Sequence, residues 1–393
     1  MSTNVRINGM LETNTTTALA SETEAGYRRC RIAHLHSTLG IYGAERWTFA
    51  LIKHLDAGEF DSIVVTIGTK TGADSFYHVV SAEGFPAFHI AIPGKLNPRA
   101  ILRLRQLLVQ QGIDILHTHG FKADVFGYLA TRNLPVKLVS TIHGWTAHEG
   151  IRIRAYEAIS RGFLKRFDRV YPLSPALFDY LRQHKFDPSK LHLILNAVDL
   201  SPFEFNFRVR HSEDPFVLLF AGRICRPKGI FELIHAFAGA KYNAPARLRI
   251  AGDGPDRAEA QALCHSLGIA DKVEFLGAVA SIAPYLKTSS ALVLPSHSEG
   301  IPRVVMEAFA AGVPVVGTAI AGIQQLVEDE VTGLLVPVGD VEKLARTLER
   351  LLEHPELAQR MAINARQVVT TKYSAHRMAN DFRQEYRRLC YGD

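Results

Sequence analysis

Two α/β domains, each a doubly wound parallel sheet, are predicted by three features of this 393-residue chain. Short apolar runs alternate with helical patterns in two successive series. A polar, proline-bearing and weakly patterned stretch from Asp199 to Asp214 separates the series. Strands in the second series end on glycine turns, as in Ala251-Gly252-Asp253-Gly254-Pro255. Alternation of this kind implies parallel strands with helices on both faces, and right-handed crossovers wind each sheet both ways. Two such domains facing across a cleft make a common ligand location.

The first series of expected strands is Ile32–His36, Ile63–Ile67, Phe88–Ile92, Ile113–His117, Leu138–Ile142, Val170–Leu173 and Leu191–Leu195, with helices such as Pro98–Gln111 between them. The second is Phe216–Phe220, Leu248–Ala251, Val273–Leu276, Ala291–Leu294, Val313–Val316 and Leu334–Val336. The end of the chain reads as helix with a break near Thr371–Ser374. The expected domains are a disordered tail at 1–26, a first domain at 27–205, a second at 206–373 and a final helix at 374–393. Residues 1–26 are rich in Thr, Ser, Asn and Glu and lack the apolar centre of a signal peptide.

Apolar content of 47% and charged content of 21% are those of a soluble globular protein. No apolar run approaches the roughly 18 residues of a membrane span. Cys30, Cys225, Cys264 and Cys390 form no C-x-x-C pair, which argues against a disulfide framework or a zinc site and fits a reducing cytosol. The net charge is +6. Arg152, Arg154, Arg161, Lys165, Arg166 and Arg169 crowd one expected helix, with Ile153, Tyr156, Ile159 and Phe163 at helical spacing among them. Two readings stand for it: a helix lying on an anionic membrane surface, or a core-facing helix with a solvated basic face. No nucleic-acid motif accompanies the charge.

The most informative run is Pro295-Ser296-His297-Ser298-Glu299-Gly300-Ile301-Pro302, continuing through Glu307 to Gly312-Val313-Pro314. It reads as strand end, glycine turn, helix and tight turn. Gly300 is expected to supply positive φ and a close backbone approach. Pro302 suits a helix start, and Gly312 a helix stop. Glu299 then sits in a loop at a helix N-terminus, with Glu307 inside the helix. Eight helical residues rise about 12 Å and turn the second side chain roughly 80° from the first. A retaining glycosidase needs its carboxyls about 5–5.5 Å apart, so this is no such dyad. Separated carboxylates beside helix-end N–H groups suit a ligand with hydroxyls at two places and phosphate between.

Upstream, the strand ending at Ala221-Gly222 is followed by Arg223, Lys228-Gly229 and a helix start. Two cations at a helix N-terminus are what a diphosphate requires. Together, G-R-x-x-x-x-K-G and the E-x7-E run with its Pro-Ser and Gly-x-Pro-Val-Val flanks resemble the donor site of retaining glycosyltransferases of family 4. The resemblance extends from about Arg31 to the C-terminal helix and implies the GT-B fold. It implies that Arg223 and Lys228 neutralise donor phosphates and that Glu299 contacts the transferred sugar. Gly300, Ile301 and Pro302 would meet sugar and phosphate, and Glu307 would bond the ribose. Gly254 would line the donor cleft, and the backbone near Val279 would hold the base. It also implies that the last helix, Ala375 to Leu389, packs back on the first domain.

On the other side, Tyr42-Gly43-Ala44-Glu45 opens a helix where the family often has Gly-Gly-Ala-Glu. Gly43 keeps the close approach, while Tyr42 and Glu45 become acceptor-side candidates. His119 ends the fourth strand, where the family places a histidine at the reaction centre. His143 ends the fifth and is an acceptor-side candidate. Strand alternation puts His117 and His119 on one sheet face, but no carboxylate cluster stands nearby, so no metal is expected. His117 is expected as a packed core histidine. His34 and His36 read only as core or rim.

The resemblance implies transfer of a hexose from a nucleotide diphosphate sugar, uridine first and guanosine second, to a hydroxyl of a glycan or lipid-linked acceptor. No cofactor is expected. A cytoplasmic place at a membrane face, in surface polysaccharide or lipopolysaccharide synthesis, is the usual setting. Two alternatives keep the fold: a sugar-nucleotide epimerase or phosphorylase, and a non-catalytic nucleotide-sugar-binding protein. No G-x-G-x-x-G follows a strand, which disfavours a dinucleotide dehydrogenase.

Overall fold

The computed structural model describes residues 11–13, 28–37, 40, 43–69, 75–92, 97–143, 159–205 and 215–392. It divides into two compact units, one of Met1–Asn196 with Ala375–Asp393 and the other of Ala197–Ser374.

The first unit holds strands β1 (Leu11–Thr13), β2 (Cys30–His36), β3 (Phe60–Gly68), β4 (Ala87–Ala91), β5 (Ile115–His119), β6 (Lys137–Ile142) and β7 (Arg169–Pro172). Its helices are α1 (Gly43–His54), α2 (Phe76–Ala82), α3 (Pro98–Gln110), α4 (Phe121–Thr131), α5 (residues 159–164), α6 (Pro175–Gln183) and, from the chain's end, α14 (Ala375–Tyr391). The sheet order is β1-β4-β3-β2-β5-β6-β7. The chain winds outward from β2 to β4, then returns to lay β5 against the other side of β2. The switch point therefore lies between β2 and β5, where the carboxyl ends of strands leave room for a ligand.

The second unit repeats the plan with β8 (Phe216–Ala221), β9 (Ala246–Ala251), β10 (Val273–Gly277), β11 (Ala291–Leu294), β12 (Val315–Thr318) and β13 (Leu334–Val336). Helices α7 (Ile230–Gly239), α8 (Arg257–Ser266), α9 (Ala283–Leu286), α10 (Arg303–Ala311), α11 (Ala321–Gln324), α12 (Val341–Glu353) and α13 (Pro355–Lys372) flank it. All pairs are parallel, in the order β10-β9-β8-β11-β12-β13. Here the switch point falls between β8 and β11.

Strand β5 begins two residues later than the apolar pattern suggests. Gly112 takes φ 58°, its N–H bonds to Val109 O, and the N–H of Ile113 reaches back to Leu108 O. That paired closure ends α3 and uses up Ile113. The expected strand Leu191–Leu195 does not form; one bridge joins Leu191 to Val170. The N–H groups of His192, Ile194 and Asn196 donate to Val170, Pro172 and Leu173. Pro172 has no N–H to return, so a reciprocal ladder cannot build. Within the stretch expected as a disordered tail, Leu11–Thr13 pairs antiparallel with β4, satisfying that strand's open edge. The unit boundary comes earlier than the expected 205/206 because Val198 already bonds to Tyr373 O at 2.9 Å and bridges Ser374.

Cysteine spacing misled. Cys30, at the start of β2, and Cys390, near the end of α14, are joined by a disulfide across a separation of 360 residues. Linear spacing carries no trace of that proximity. Cys225 and Cys264 are free. The disulfide is one of several ties holding α14 to the first unit. Arg383 and Arg387 pair with Glu59, Arg377 donates to Leu195 O at 2.8 Å, and Tyr386 is fully buried.

Arg152, Arg154, Ile153 and Tyr156 lie outside the described residues. Arg161, Lys165 and Arg166 stand over the rings of Tyr180, Phe186 and Tyr128 of their own unit. This favours the packed-helix reading of the basic segment. Among the described residues no helix is long and apolar enough to cross a membrane.

One buried acid sets a pH dependence. Asp124, in the first turn of α4, is 3% exposed; its Oδ1 accepts from Thr118 Oγ1 at 2.5 Å and Ser140 Oγ at 2.8 Å. Burial outweighs those bonds and pushes its pKa up to about 7. Between about pH 4 and pH 7 the folded chain keeps a proton that the unfolded chain has released, so this group's contribution to stability falls as pH rises through that window. Three pKa units correspond to on the order of 4 kcal/mol. Asp124→Asn is expected to flatten the slope, so that its Tm relative to the parent rises from pH 5 to pH 8. An unchanged difference would refute the buried-proton account.

Candidate functional site

The site in the second unit is built from backbone outward. After β8 the chain turns through Gly222 and Arg223, makes a short 3₁₀ turn at Arg226–Lys228, and starts α7 after Gly229. Gly229 adopts φ 67°, and a Cβ there would lie 2.0 Å from Pro295 O. Only glycine lets this loop press against the one that follows β11. The amide of His297 then donates to Pro227 O at 2.9 Å, joining the two loops across the switch point.

That contact brings Lys228 to Glu299. Lys228 Nζ donates to Glu299 Oε1 at 2.6 Å, and Ser296 Oγ donates to the same oxygen at 2.8 Å. The carboxylate side chain is 11% exposed and the lysine 27%. Arg223 is exposed, and among the described residues its guanidinium makes no hydrogen bond or ion pair. The two cations thus differ: one is held on a carboxylate and one is open. Glu307 lies on α10, buried, with Arg303 Nη2 3.4 Å from its Oε1 one turn earlier. Pro302 is buried and precedes the helix, Ile301 is half-buried in the bend before it, and Gly312 closes it at φ 76°.

Gly300 corrects the sequence expectation. It is not in the left-handed region, and a Cβ on it would meet nothing within 4 Å. The close approach belongs to Gly322, at the start of α11, whose Cβ would fall 1.8 Å from Gly300 O. Gly322 stands in Ala321-Gly322-Ile323, beyond the motif, and only the fold shows what it touches. Ser296 is a second omission; its carbonyl accepts from Thr318 Oγ1 while its hydroxyl holds Glu299. Gly254 serves the same packing purpose as Gly229: a Cβ there would lie 2.1 Å from Ile224 O. Ile224 N in turn donates to Asp253 O at 2.9 Å, so the β9 loop supports the loop of Arg223. Val279 is half-buried just after β10.

In the first unit, register pairs His34 with His117 and His36 with His119 across β2 and β5. All four rings are buried on one sheet face, under α1 and α14. His119 is the last residue of β5, as expected, but its ring is 4% exposed. Its Nε2 lies 3.3 Å from His34 Nδ1, and its Nδ1 lies 3.2 Å from His143 Nε2. His117 is a packed core residue, with Nδ1 2.6 Å from Tyr386 Oη and Nε2 2.7 Å from Thr141 Oγ1. Burial, with neighbouring imidazoles, holds His117 and His119 well below the usual histidine range, and lowers His34 to about 3. Glu45, 1% exposed in the first turn of α1, has Oε1 3.4 Å from His36 Nδ1. Gly43 begins α1, and Tyr42 lies outside the described residues.

Ring nitrogens of His34, His117 and His119 lie within 4.8 Å of one another, close enough to share a metal ion. Both nitrogens of His117 already hold hydroxyl partners at hydrogen-bond distance, which a metal ligand would have to give up.

Known proteins place this geometry in a family. The description Glycosyltransferase Family 4 matches residues 41–202, and Glycosyl transferases group 1 matches residues 203–368. The D-inositol 3-phosphate glycosyltransferase of Frankia alni is 35% identical over 344 residues, covering 80% of this chain and 78% of that one. The N-acetyl-alpha-D-glucosaminyl L-malate synthase of Bacillus anthracis is 25% identical over 333 residues, covering 81% and 85%. The crystal structure of Anabaena HepE in complex with UDP superposes with a TM-score of 0.77 at 20% identity, over 90% of this chain and 99% of that one. Two wound units, each with polar side chains gathered at its switch point, and matches through both halves lead to one conclusion: the chain belongs to the family 4, group 1 glycosyltransferases and has their GT-B pair of Rossmann-like units.

Proposed function

We propose that this protein moves a sugar from a nucleoside diphosphate sugar to a hydroxyl of a glycan or lipid-linked acceptor, with retention at the anomeric carbon. The observation that carries the reading is the stitched pair of loops at the second switch point, with open Arg223, Lys228 on Glu299, and Glu307 one helix further on. A diphosphate fits between an unpaired guanidinium and the N-terminus of α7. Its arrival gives Lys228 a second anionic partner and turns Glu299 toward sugar hydroxyls. In the transfer, the bond from the anomeric carbon to the phosphate oxygen breaks with its electron pair going to phosphate. The acceptor oxygen bonds to the same face of that carbon and passes its proton to the departing phosphate. The charge that develops is met by Arg223 and Lys228, without a divalent ion. Glu307 is assigned to the ribose.

Uridine is the first choice of base, supported by the UDP bound to HepE, and guanosine the second.

The test is thermal unfolding with UDP, GDP and ADP, with and without Mg²⁺. One nucleotide at about 100 times its Kd is expected to stabilise the protein by about 2.7 kcal/mol. The shift should be independent of Mg²⁺ and lost in Glu307→Ala. A folded parent protein that responds to no nucleotide would overturn the donor-site reading.

A further inference from the structure

The loops at the second switch point hold Glu299 by one oxygen only. Lys228 Nζ and Ser296 Oγ both donate to Oε1, at 2.6 Å and 2.8 Å. A carboxylate oxygen offers about two lone-pair sites, so Oε1 is filled. Among the described residues Oε2 has no hydrogen-bond partner. A carboxylate can only accept and an ammonium can only donate, so the groups themselves fix the direction of each bond. One oxygen is anchored and the other is left for a ligand.

What holds Ser296 in place lies outside the motif. The parallel register of β11 and β12 ends with Leu294 opposite Gly317, and Pro295 has no N–H with which to continue it. Thr318, the last residue of β12, takes over with its side chain: its Oγ1 donates to the carbonyl of Ser296. A carbonyl only accepts, so this direction is fixed as well. At the other end of the same peptide, the amide of His297 donates to Pro227 O at 2.9 Å. The peptide from Ser296 to His297 is therefore pinned at both of its polar groups. Ser296 is 0% exposed and Thr318 1%, so no solvent stands ready to replace a lost bond.

We propose that Thr318 and Ser296 are positioning residues that act in series on Glu299, anchoring Oε1 so that Oε2 meets the transferred sugar. When a diphosphate draws Lys228 away, the bond from Ser296 remains and Glu299 pivots about it. The sugar contact rests on the transferase reading. Arg223 and Lys228 meet the diphosphate without help from this pair. Removing the pair therefore costs affinity for the sugar part of the donor and spares the nucleoside diphosphate part.

The test is calorimetric binding to the full-length protein of UDP and GDP, each against its sugar conjugates: UDP-glucose, UDP-galactose, UDP-N-acetylglucosamine and GDP-mannose. The diphosphate and conjugate that the parent binds best are carried into the variants. Thr318→Val keeps the shape of the side chain and loses its hydroxyl. In Thr318→Val and in Ser296→Ala the Kd of the conjugate is expected to rise about 10–100-fold, the usual worth of a hydrogen bond to a charged group. The Kd of the bare diphosphate is expected to stay at the parent's value. Thr318→Ser, which restores a hydroxyl at that place, is expected to bring the conjugate back. A merely structural role would weaken both ligands together. That result would overturn the proposal, as would an unchanged conjugate in either variant or a Thr318→Ser that behaves like Thr318→Val. A folded parent that binds no sugar conjugate would sink the transferase reading and the proposal with it. Should one of Ser296→Ala and Thr318→Val not fold, the other decides.

Discussion

Lys228→Ala is expected to lower the transfer rate by about 10²–10³-fold, the usual loss when one preorganised charge at a leaving group is removed. Stability should change little, because Glu299 keeps its bond from Ser296 and its side chain retains some access to solvent. Glu299→Gln preserves shape and an acceptor for Ser296 but removes the charge, and should cost a comparable factor. The informative measurement is the double variant. If lysine and carboxylate act as one unit, the double change should cost scarcely more than either single change. Multiplied losses would mean that the 2.6 Å pair separates on binding and that each partner works alone. Near-normal turnover in both single variants would remove this site from the mechanism.

The second large effect concerns a residue with no side chain. Gly254→Ala places a methyl 2.1 Å from Ile224 O and within 3 Å of Ile224 C and N, all backbone atoms that cannot rotate aside. Relief requires moving the loop that carries Arg223. Forcing atoms into packed backbone costs about 3 kcal/mol or more. For a unit of this size that is a fall of roughly 6–12 °C in its unfolding transition. Gly300→Ala is the matched control: its Cβ meets nothing within 4 Å, so the transition should stay in place. If the open space there receives the sugar, Gly300→Ala should lose activity without losing stability. Equal transitions for parent and Gly254→Ala would contradict the close packing of the two loops.

The fold was legible wherever periodicity carried it. Ala291–Leu294 and Leu334–Val336 were read to the residue, because short apolar runs between turn signals have few alternatives. Leu191–Leu195 looked the same and failed, since a strand also needs a neighbour able to answer its hydrogen bonds, and Pro172 cannot. Lys228 and Glu299 were recognisable from motif, but not their contact, which depends on Gly229 lying against Pro295. Gly322 was passed over for Gly300 because a glycine's pressing neighbour is set by the fold and not by the chain. Alternation put His117 and His119 on one face. Applied across strands it would also have reached His34 and His36, had the adjacency of β2 and β5 been known. That adjacency belongs to topology, like the pairing of Cys30 with Cys390.

The late arrival of α14 has a consequence for how this protein is born. Residues of β2 and β5 leave the ribosome early, while Phe382 and Tyr386, which roof the histidines and Trp47, are among the last. At about 5–20 residues per second, the 360-residue interval from Cys30 to Cys390 lasts on the order of 20–70 s. Throughout it the nascent first unit shows an uncovered aromatic face, a natural handhold for a chaperone. The second unit, contiguous from Ala197 to Ser374, has every residue it needs before that face is closed. The half of the enzyme begun first is thus the half finished last, and a chain cut short within the final helix would carry a folded second unit attached to an incomplete first one.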